Sequence, residues 1–495
     1  MRYVSTRDSG LKLSASEAIV MGLSRDGGLF IPESIPALEQ GAIEKLCKMS
    51  YQDRAVYVMK MYLDEFSEDE LKAFTTAGYG PNKYDVPEVA PMYKLDDKTG
   101  ILELWHGPTC AFKDMALQML PYLLTASLQK TGETKTVCIL VATSGDTGKA
   151  ALEGFCDVDK TKILVFYPKN GVSDIQELQM VTQSGDNVGV CAVYGNFDDA
   201  QTGVKRIFSD EDIREKLERD GFFLSSANSI NWGRVLPQIV YYVSAYCDCI
   251  NNGTIKNGEE LNVCVPTGNF GNILAGYFAK LMGVPIGRFI CASNSNNVLT
   301  DFINTGVYDK NRQFYTTTSP SMDILVSSNL ERLLYSLTAD SDVVKGWMNE
   351  LNSVGKYEVS EAVKTAVQAE FSGGFCSDDE AAEAIAKLKN ENNYLMDTHT
   401  AVAYKVLEDY RIATGDDRPC VVVSTASPFK FCESVLNALG VTEIRPGCDV
   451  IDQLSEVSGV KAPLPLLTLK DKKVRFTDVV EKAGMDDAVL NMILN

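Results

Sequence analysis

Apolar residues recur in two different rhythms along this 495-residue chain. From about residue 36 to 80 they return every three to four positions among charges, in IEKLCKMSYQDRAVYVMKMYLDEF and EDELKAFTTAGYG, which predicts amphipathic helices. The Pro-rich stretch PNKYDVPEVAPMYKL then reads as the exit from a mainly helical N-terminal domain, residues 1–95. Beyond it, short β-branched runs alternate with amphipathic ones: TVCILVAT then GDTGKAALEGF, KILVFYP then DIQELQMVTQ, VGVCAVYG then FDDAQTGVKRIF. The alternation continues through GFFLSSA, LNVCVPT and GRFICAS, each followed by a helical pattern. Such strand-turn-helix units in succession predict an α/β core with a parallel sheet over residues 96–324. Residues 325–390 (NLERLLYSL, VKGWMNEL, DDEAAEAIAKLKNEN) read as charged helices, expected to be a helical insertion or covering layer. Residues 391–495 return to the core with TAVAYKVLEDYRIATG and PCVVVSTASPFKFCESVLNALG and then run into a tail. No repeat of solenoid period and no low-complexity linker occurs.

Length adds that one compact core is too small for the chain, so two or three domains are expected. A formal charge of -20 repels phosphate backbones and argues against nucleic-acid binding. An anionic small molecule would need a locally positive pocket. The thirteen cysteines are odd in number, sit partly in strand-like runs (Cys138, Cys264, Cys420) and form no CxxC pair, as reduced thiols in a reducing compartment would. MRYVSTRDSGLKL has no secretory pattern, no apolar run approaches the roughly 18 residues of a membrane helix, and Asp8 and Asp26 argue against a transit peptide. A cytoplasmic enzyme without a membrane partner is the expectation. No module precedes Ser5-Thr6-Arg7, so activation by an effector is not expected.

Four short stretches carry candidate chemistry. In VPTGNFGNI, Gly268 and Gly271 lie between a strand pattern and a helix pattern, where successive backbone N–H groups converge on an anion and the helix adds its positive end. The third glycine of a dinucleotide fingerprint and the Lys-Ser/Thr of a P-loop are both missing, and an ordinary βα turn is the competing reading. ATSGDTGKA also opens a helix, but its glycine spacing and Ala150 exclude a nucleotide P-loop. Ser144, Thr147 and the helix-start amides suit a carboxylate, against a plain N-cap by Asp146. In HGPTCAFKDM, Lys113 stands at the head of a helical run where the macrodipole disfavours an ammonium, and Pro121 either kinks that run or marks its true start. Burial beside Phe112 would lower its pKa as a Schiff-base lysine requires, while a snorkelling surface lysine remains the alternative. VVVSTASPFKF is a buried-type strand ending in the hydroxyls of Ser424 and Thr425, which could donate to a ring nitrogen or serve the turn before Pro428. Metal, nuclease and serine-hydrolase readings find no histidine spacing and no GxSxG.

Taken together and in this order, HGPT-x-AFKD, SGDTG, PTGNFGN and STASPFKF resemble the pyridoxal-phosphate enzymes of the tryptophan-synthase-β type, and among them the threonine synthase family. STRDSG, RDGGLFIPE, NSINWGRVLPQIVYY and SPSMDILVSSNLERLL extend the resemblance over nearly the whole chain. It implies fold type II, with parallel sheets in two lobes of the 96–324 core, the mobile one spanning about residues 136–225, beside the mainly helical N-terminal domain. It also implies pyridoxal 5'-phosphate, attached to Lys113 as a Schiff base, with Lys113 acting later as acid and base. Gly268, Asn269, Phe270, Gly271 and Asn272 would hold its phosphate, and Thr425, or less favourably Ser424, would face the pyridine nitrogen. Ser144, Gly145, Asp146 and Thr147 align with the loop that receives the substrate carboxylate, with Asp146 standing where many relatives carry Asn. The implied reaction is β,γ-replacement on O-phospho-L-homoserine to give L-threonine and phosphate. Its alternatives are a phospholyase releasing 2-oxobutyrate and a catalytically silent cofactor-binding protein. Arg234 and Lys430 are the candidate cations for the substrate phosphate, each able instead to pair with a structural carboxylate. The two histidines, His106 and His399, are expected to be structural hydrogen-bonding groups.

Overall fold

The computed structural model describes residues 1–494. Two largely parallel sheets organise it. The large sheet runs in the order Phe371–Phe375, Ile286–Ser293, Leu261–Pro266, Cys420–Ser424, Thr99–Glu103, Met92–Lys94. All neighbours in it are parallel except the last pair. The small sheet, in the order Val479–Val480, Val188–Val193, Thr161–Pro168, Thr136–Ala142, Phe222–Ser225, is parallel throughout. Nearly every residue in the central strands is buried, as expected when helices cover both faces of a parallel sheet. The helix Trp232–Asn251, buried along almost its whole length, packs between the glycine-loop helix Gly271–Leu281 and the N-terminal helix Tyr51–Tyr62.

Three segments depart from the sequence reading. Residues 1–95 contain the expected helices Ala42–Leu46, Tyr51–Tyr62 and Glu68–Gly78, but they begin with an antiparallel sheet of Asp8–Leu13, Tyr3–Ser5 and Phe30–Pro32. The Pro-rich exit is also more than a linker, since Met92–Lys94 closes the large sheet as its antiparallel edge. Strands of three residues are too short to establish a period. Residues 325–390 do supply the helices Leu330–Thr338, Ser341–Ser353, Glu361–Glu370 and Asp378–Asn392, yet Phe371–Phe375 forms the other edge of the large sheet. Its sequence, FSGGF, lies inside the segment expected to be helical and places two glycines in the strand. Packing explains them: a Cβ on Gly373 would stand 2.9 Å from Thr300 Cα, and one on Gly374 would stand 2.6 Å from Val406 Cγ1. The tail completes the small lobe. Val479–Val480 extends the small sheet, and Met485, Val489 and Ile493 of the final helix share a core with Cys138, Leu140 and Phe166.

Candidate active site

The four motifs leave the carboxyl ends of strands in both sheets, where open α/β sheets place their ligands. Backbone bonds tie two of them together: Phe112 N donates to Thr425 O at 2.8 Å, and Ser427 N to Cys110 O at 3.0 Å. The HGPT turn is built around a buried carboxyl. Asp114 accepts from Thr109 N at 2.8 Å and from Thr109 Oγ1 at 2.7 Å. A Cβ on Gly107 would stand 2.6 Å from Asp114 Oδ2, so only glycine fits there. Burial raises the Asp114 pKa to about 6 against these hydrogen bonds.

This turn delivers Lys113 to the start of the four-residue helix Asp114–Leu117, and Pro121 begins a separate helix, Leu120–Thr131, instead of kinking one long one. Lys113 is half-buried by exposed area, yet its ammonium lies deep in the molecule, 3.9 Å from the centroid of the Phe112 ring. It has no hydrogen bond among the described residues. Burial first, then the nearby cations Arg234 and Lys430, push its pKa down to about 7, with Asp146 opposing. An amine that is half neutral at physiological pH can attack a carbonyl carbon and exchange protons.

The SGDTG turn differs from a plain cap. Thr143 Oγ1 takes the amides of Gly145 at 3.0 Å and Gly148 at 2.9 Å, and the residue preceding the helix Asp146–Phe155 is Gly145, in a conformation (φ 126°) that favours glycine. Asp146 is therefore not the capping side chain. Its Oδ1 accepts from Gln176 Nε2 at 2.8 Å and pairs with Lys430 Nζ at 3.0 Å. Burial works against that charge, but Lys430 and Gln176 outweigh it and hold the carboxyl below its usual range. Lys430 is saturated in turn: its three protons meet Asp146, Thr109 O at 2.8 Å and Gln179 Oε1 at 2.8 Å. Of the two candidate cations, it is the one engaged with a structural carboxylate. The hydroxyls of Ser144 and Thr147 make no hydrogen bond among the described residues.

Arg234 is the opposite case. It is 2 % exposed, gives Nη1 to Ala227 O, leaves Nε without a partner, and meets no carboxylate among the described residues. Burial lowers its pKa to about 10. A buried guanidinium without a counter-charge is costly unless an anion joins it.

The GNFGN loop is organised in the same sense. Phe270 adopts the left-handed region (φ 60°) and no side chain caps the helix Gly271–Leu281. Among the described residues no hydrogen bond satisfies the amides of Gly268 to Ile273. Asn272 Oδ1 accepts from Tyr241 and Tyr242 hydroxyls, each at 2.6 Å, while its buried Nδ2 has no partner among the described residues. Converging donors without acceptors are the arrangement that suits an anion. At the strand end, Ser424 Oγ accepts from Trp105 Nε1 at 3.1 Å and Thr400 Oγ1 at 3.0 Å, whereas the hydroxyl of Thr425, 5 % exposed, is free of such bonds among the described residues.

Both histidines are held by carboxylates. His399 Nδ1 lies 2.8 Å from Asp397 Oδ2 and its Nε2 accepts from Ser321 N at 3.2 Å. His106 sits between Asp85 at 2.8 Å and Glu103 at 2.9 Å; burial opposes its charge, but the two carboxylates raise its pKa to about 9. Sequence reasoning missed Gln176 and Gln179. Their signal was a pair of polar residues three apart on the face of Asp174–Val181 that turns out to be buried.

Comparison with known proteins places this geometry in company. The family model for the threonine synthase N terminus matches residues 2–79, that for pyridoxal-phosphate dependent enzymes residues 101–426, and that for the threonine synthase C-terminal region residues 400–489. Threonine synthase of Saccharomyces cerevisiae is 37% identical, covering 95% of this chain and 95% of that one. Threonine synthase-like 1 of Homo sapiens is 42% identical over 90% of this chain, which spans 61% of that protein's length. The crystal structure of PLP bound threonine synthase from Brucella melitensis superposes with a TM-score of 0.88 at 35% identity, covering 100% of both chains.

Proposed function

The chain belongs to the threonine synthase family of pyridoxal-phosphate-dependent enzymes, and from that premise we propose that it converts O-phospho-L-homoserine and water to L-threonine and phosphate. The residues present fit the cofactor: unsatisfied amides at Gly268 to Ile273 suit its phosphate, the near-neutral Lys113 suits its carbonyl, and the free hydroxyl of Thr425 suits its ring nitrogen better than that of Ser424. When bound, pyridoxal phosphate supplies an electrophilic carbonyl and a conjugated ring that accepts electron density from the substrate's carbons.

Each side chain then has a task that its surroundings support. Gly268, Asn269, Phe270, Gly271 and Asn272 bind the cofactor phosphate. Lys113 is the attachment point; once released, its amine would take the Cα proton and pass it on, take a Cβ proton as phosphate leaves Cγ with its C–O bonding pair, deliver that proton to Cγ after the Cβ–Cγ double bond has formed, and return a proton to Cα after water has added at Cβ. Ser144, Gly145, Asp146 and Thr147 form the turn that receives the substrate carboxylate, with the two free hydroxyls as donors. Arg234 grips the substrate phosphate, so the four-carbon chain is held at both ends and water meets a fixed Cβ. Lys430 contributes to the positive field around Lys113 while remaining bonded to Asp146, a contact that would join the lobe of residues 136–225 to the large sheet when the site closes. Thirteen free thiols support a reducing, cytoplasmic setting.

The observation that carries the reading is Arg234, buried with no carboxylate partner among the described residues and close enough to Lys113 to depress its pKa. Incubation with O-phospho-L-homoserine tests it. Phosphate and threonine are expected in equal amounts; phosphate with stoichiometric 2-oxobutyrate and no threonine would replace the synthase by a phospholyase.

A further inference from the structure

Three stretches distant in sequence meet at the start of the helix Leu330–Thr338. Asn329, the residue before it, uses its whole carboxamide. Its Nδ2 donates to Asn269 O at 3.0 Å and to Ser229 Oγ at 3.1 Å, and its Oδ1 accepts from Arg332 Nη1. Asn329 N reaches the same Asn269 O at 3.1 Å. Arg332, fully buried, gives its remaining donors to Ser229 O at 3.2 Å, Ile230 O at 2.6 Å and Phe30 O at 2.9 Å. A Cβ built on Gly271 would stand 3.3 Å from Asn329 Nδ2 and 3.4 Å from Ser229 Cβ, so both side chains border the glycine loop.

The consequence follows from the planarity of one peptide. Asn269 O and Phe270 N–H belong to the same trans unit and point in opposite directions, so a tether on the oxygen aims the amide. Phe270 is moreover held in the left-handed region, which is unfavourable for a non-glycine residue and persists only when its surroundings impose it. The two hydrogen bonds from Asn329 to Asn269 O supply that constraint. Its third bond, to Ser229, ties the loop that leads into the Arg234 helix to the same point.

We propose that Asn329 is a positioning residue for the anion cradle: it orients the Phe270 peptide toward a bound phosphoryl group and keeps the Asn228–Asn231 loop in register with it, while Arg332 holds Asn329 in place. This rests on the reading that the cradle receives the cofactor phosphate. Direct titration of apoprotein with pyridoxal phosphate provides the test, for the wild type, Asn329→Ala and Asn329→Asp, with thermal melting and the KM and kcat for phosphohomoserine measured alongside. Arg7→Ala serves as a control for general loosening, because Arg7 clamps the same helix through Glu331, at 2.8 and 2.7 Å, without touching the loop. Both Asn329 variants are expected to weaken cofactor affinity by about tenfold or more, and to leave kcat at saturation within about threefold. Arg7→Ala should lower the melting temperature while binding the cofactor nearly as well as wild type. Unchanged affinity in Asn329→Ala, or an equal loss in Arg7→Ala at matched destabilisation, would overturn the proposal alone; a wild-type protein that fails to bind pyridoxal phosphate would overturn the cradle reading with it.

Discussion

Burial, and then Arg234 and Lys430 set against Asp146, bring the Lys113 ammonium from the ordinary lysine range of about 10.4 to about 7. The neutral amine therefore grows with pH through that midpoint, and cofactor attachment to apoprotein should accelerate between about pH 6 and 8 and then level off. Arg234→Gln removes a repelling charge, so the midpoint should move to higher pH, and the KM for phosphohomoserine should rise about tenfold or more through loss of a charge-assisted contact. A stopped-flow pH series on both proteins decides this; an unmoved midpoint would mean that Arg234 does not act on Lys113. Lys113→Ala should lose both turnover and the peptide labelled by borohydride reduction. At this scale the sequence singled out Lys113 because a cation at a helix head contradicts the macrodipole, and Arg234, like Lys430, because it lies in a family-like block beside turn signals. It could not expose the saturation of Lys430, since Thr109, Asp146 and Gln179 come from three separate places in the chain.

Among elements, legibility followed length and side-chain contrast. Strands such as Thr136–Ala142 and Thr161–Pro168 stand out as apolar runs between turn signals, while Tyr3–Ser5, Phe371–Phe375 and Val479–Val480 owe their pairing to neighbours that no local pattern announces. Gly374 illustrates the hidden kind. Gly374→Val would drive a side chain into Val406, which lies 2.6 Å from the position of the first added atom, and should destabilise the protein by about 1–3 kcal/mol in urea denaturation. Gly271 behaves differently: a Cβ there would stand 3.3 Å from Asn329 Nδ2, a close approach that a shift of a few tenths of an ångström relieves. Gly271→Asp should leave the melting temperature close to wild type yet weaken pyridoxal phosphate binding by about tenfold or more, a carboxylate having entered a nest of amides. Wild-type cofactor affinity in that variant would reduce the loop to an ordinary turn.

Across the whole molecule, one buried cluster joins the two sheets. Lys430 and Thr109 follow strands of the large sheet; Asp146 and Gln179 belong to helices that follow strands of the small one. Removing one partner of a buried pair leaves the other charge stranded, at a cost of about 3–5 kcal/mol. Lys430→Gln should therefore lower stability by an amount of that order at pH 7, with the loss largest above the ordinary carboxylate pKa near 4. The sign follows from Asp146: a carboxyl whose folded pKa is lowered contributes stability above its unfolded value and loses it as pH falls through the folded one, so the variant and wild type should converge in acid. The same substitution separates a latch from a ligand. With every Lys430 proton already engaged inside the protein, Lys430→Gln should raise the KM for phosphohomoserine less than Arg234→Gln does, when both are measured below their melting transitions. A KM effect equal to that of Arg234→Gln, with stability intact, would instead make Lys430 a cation for the substrate phosphate and its bond to Asp146 one that substrate breaks.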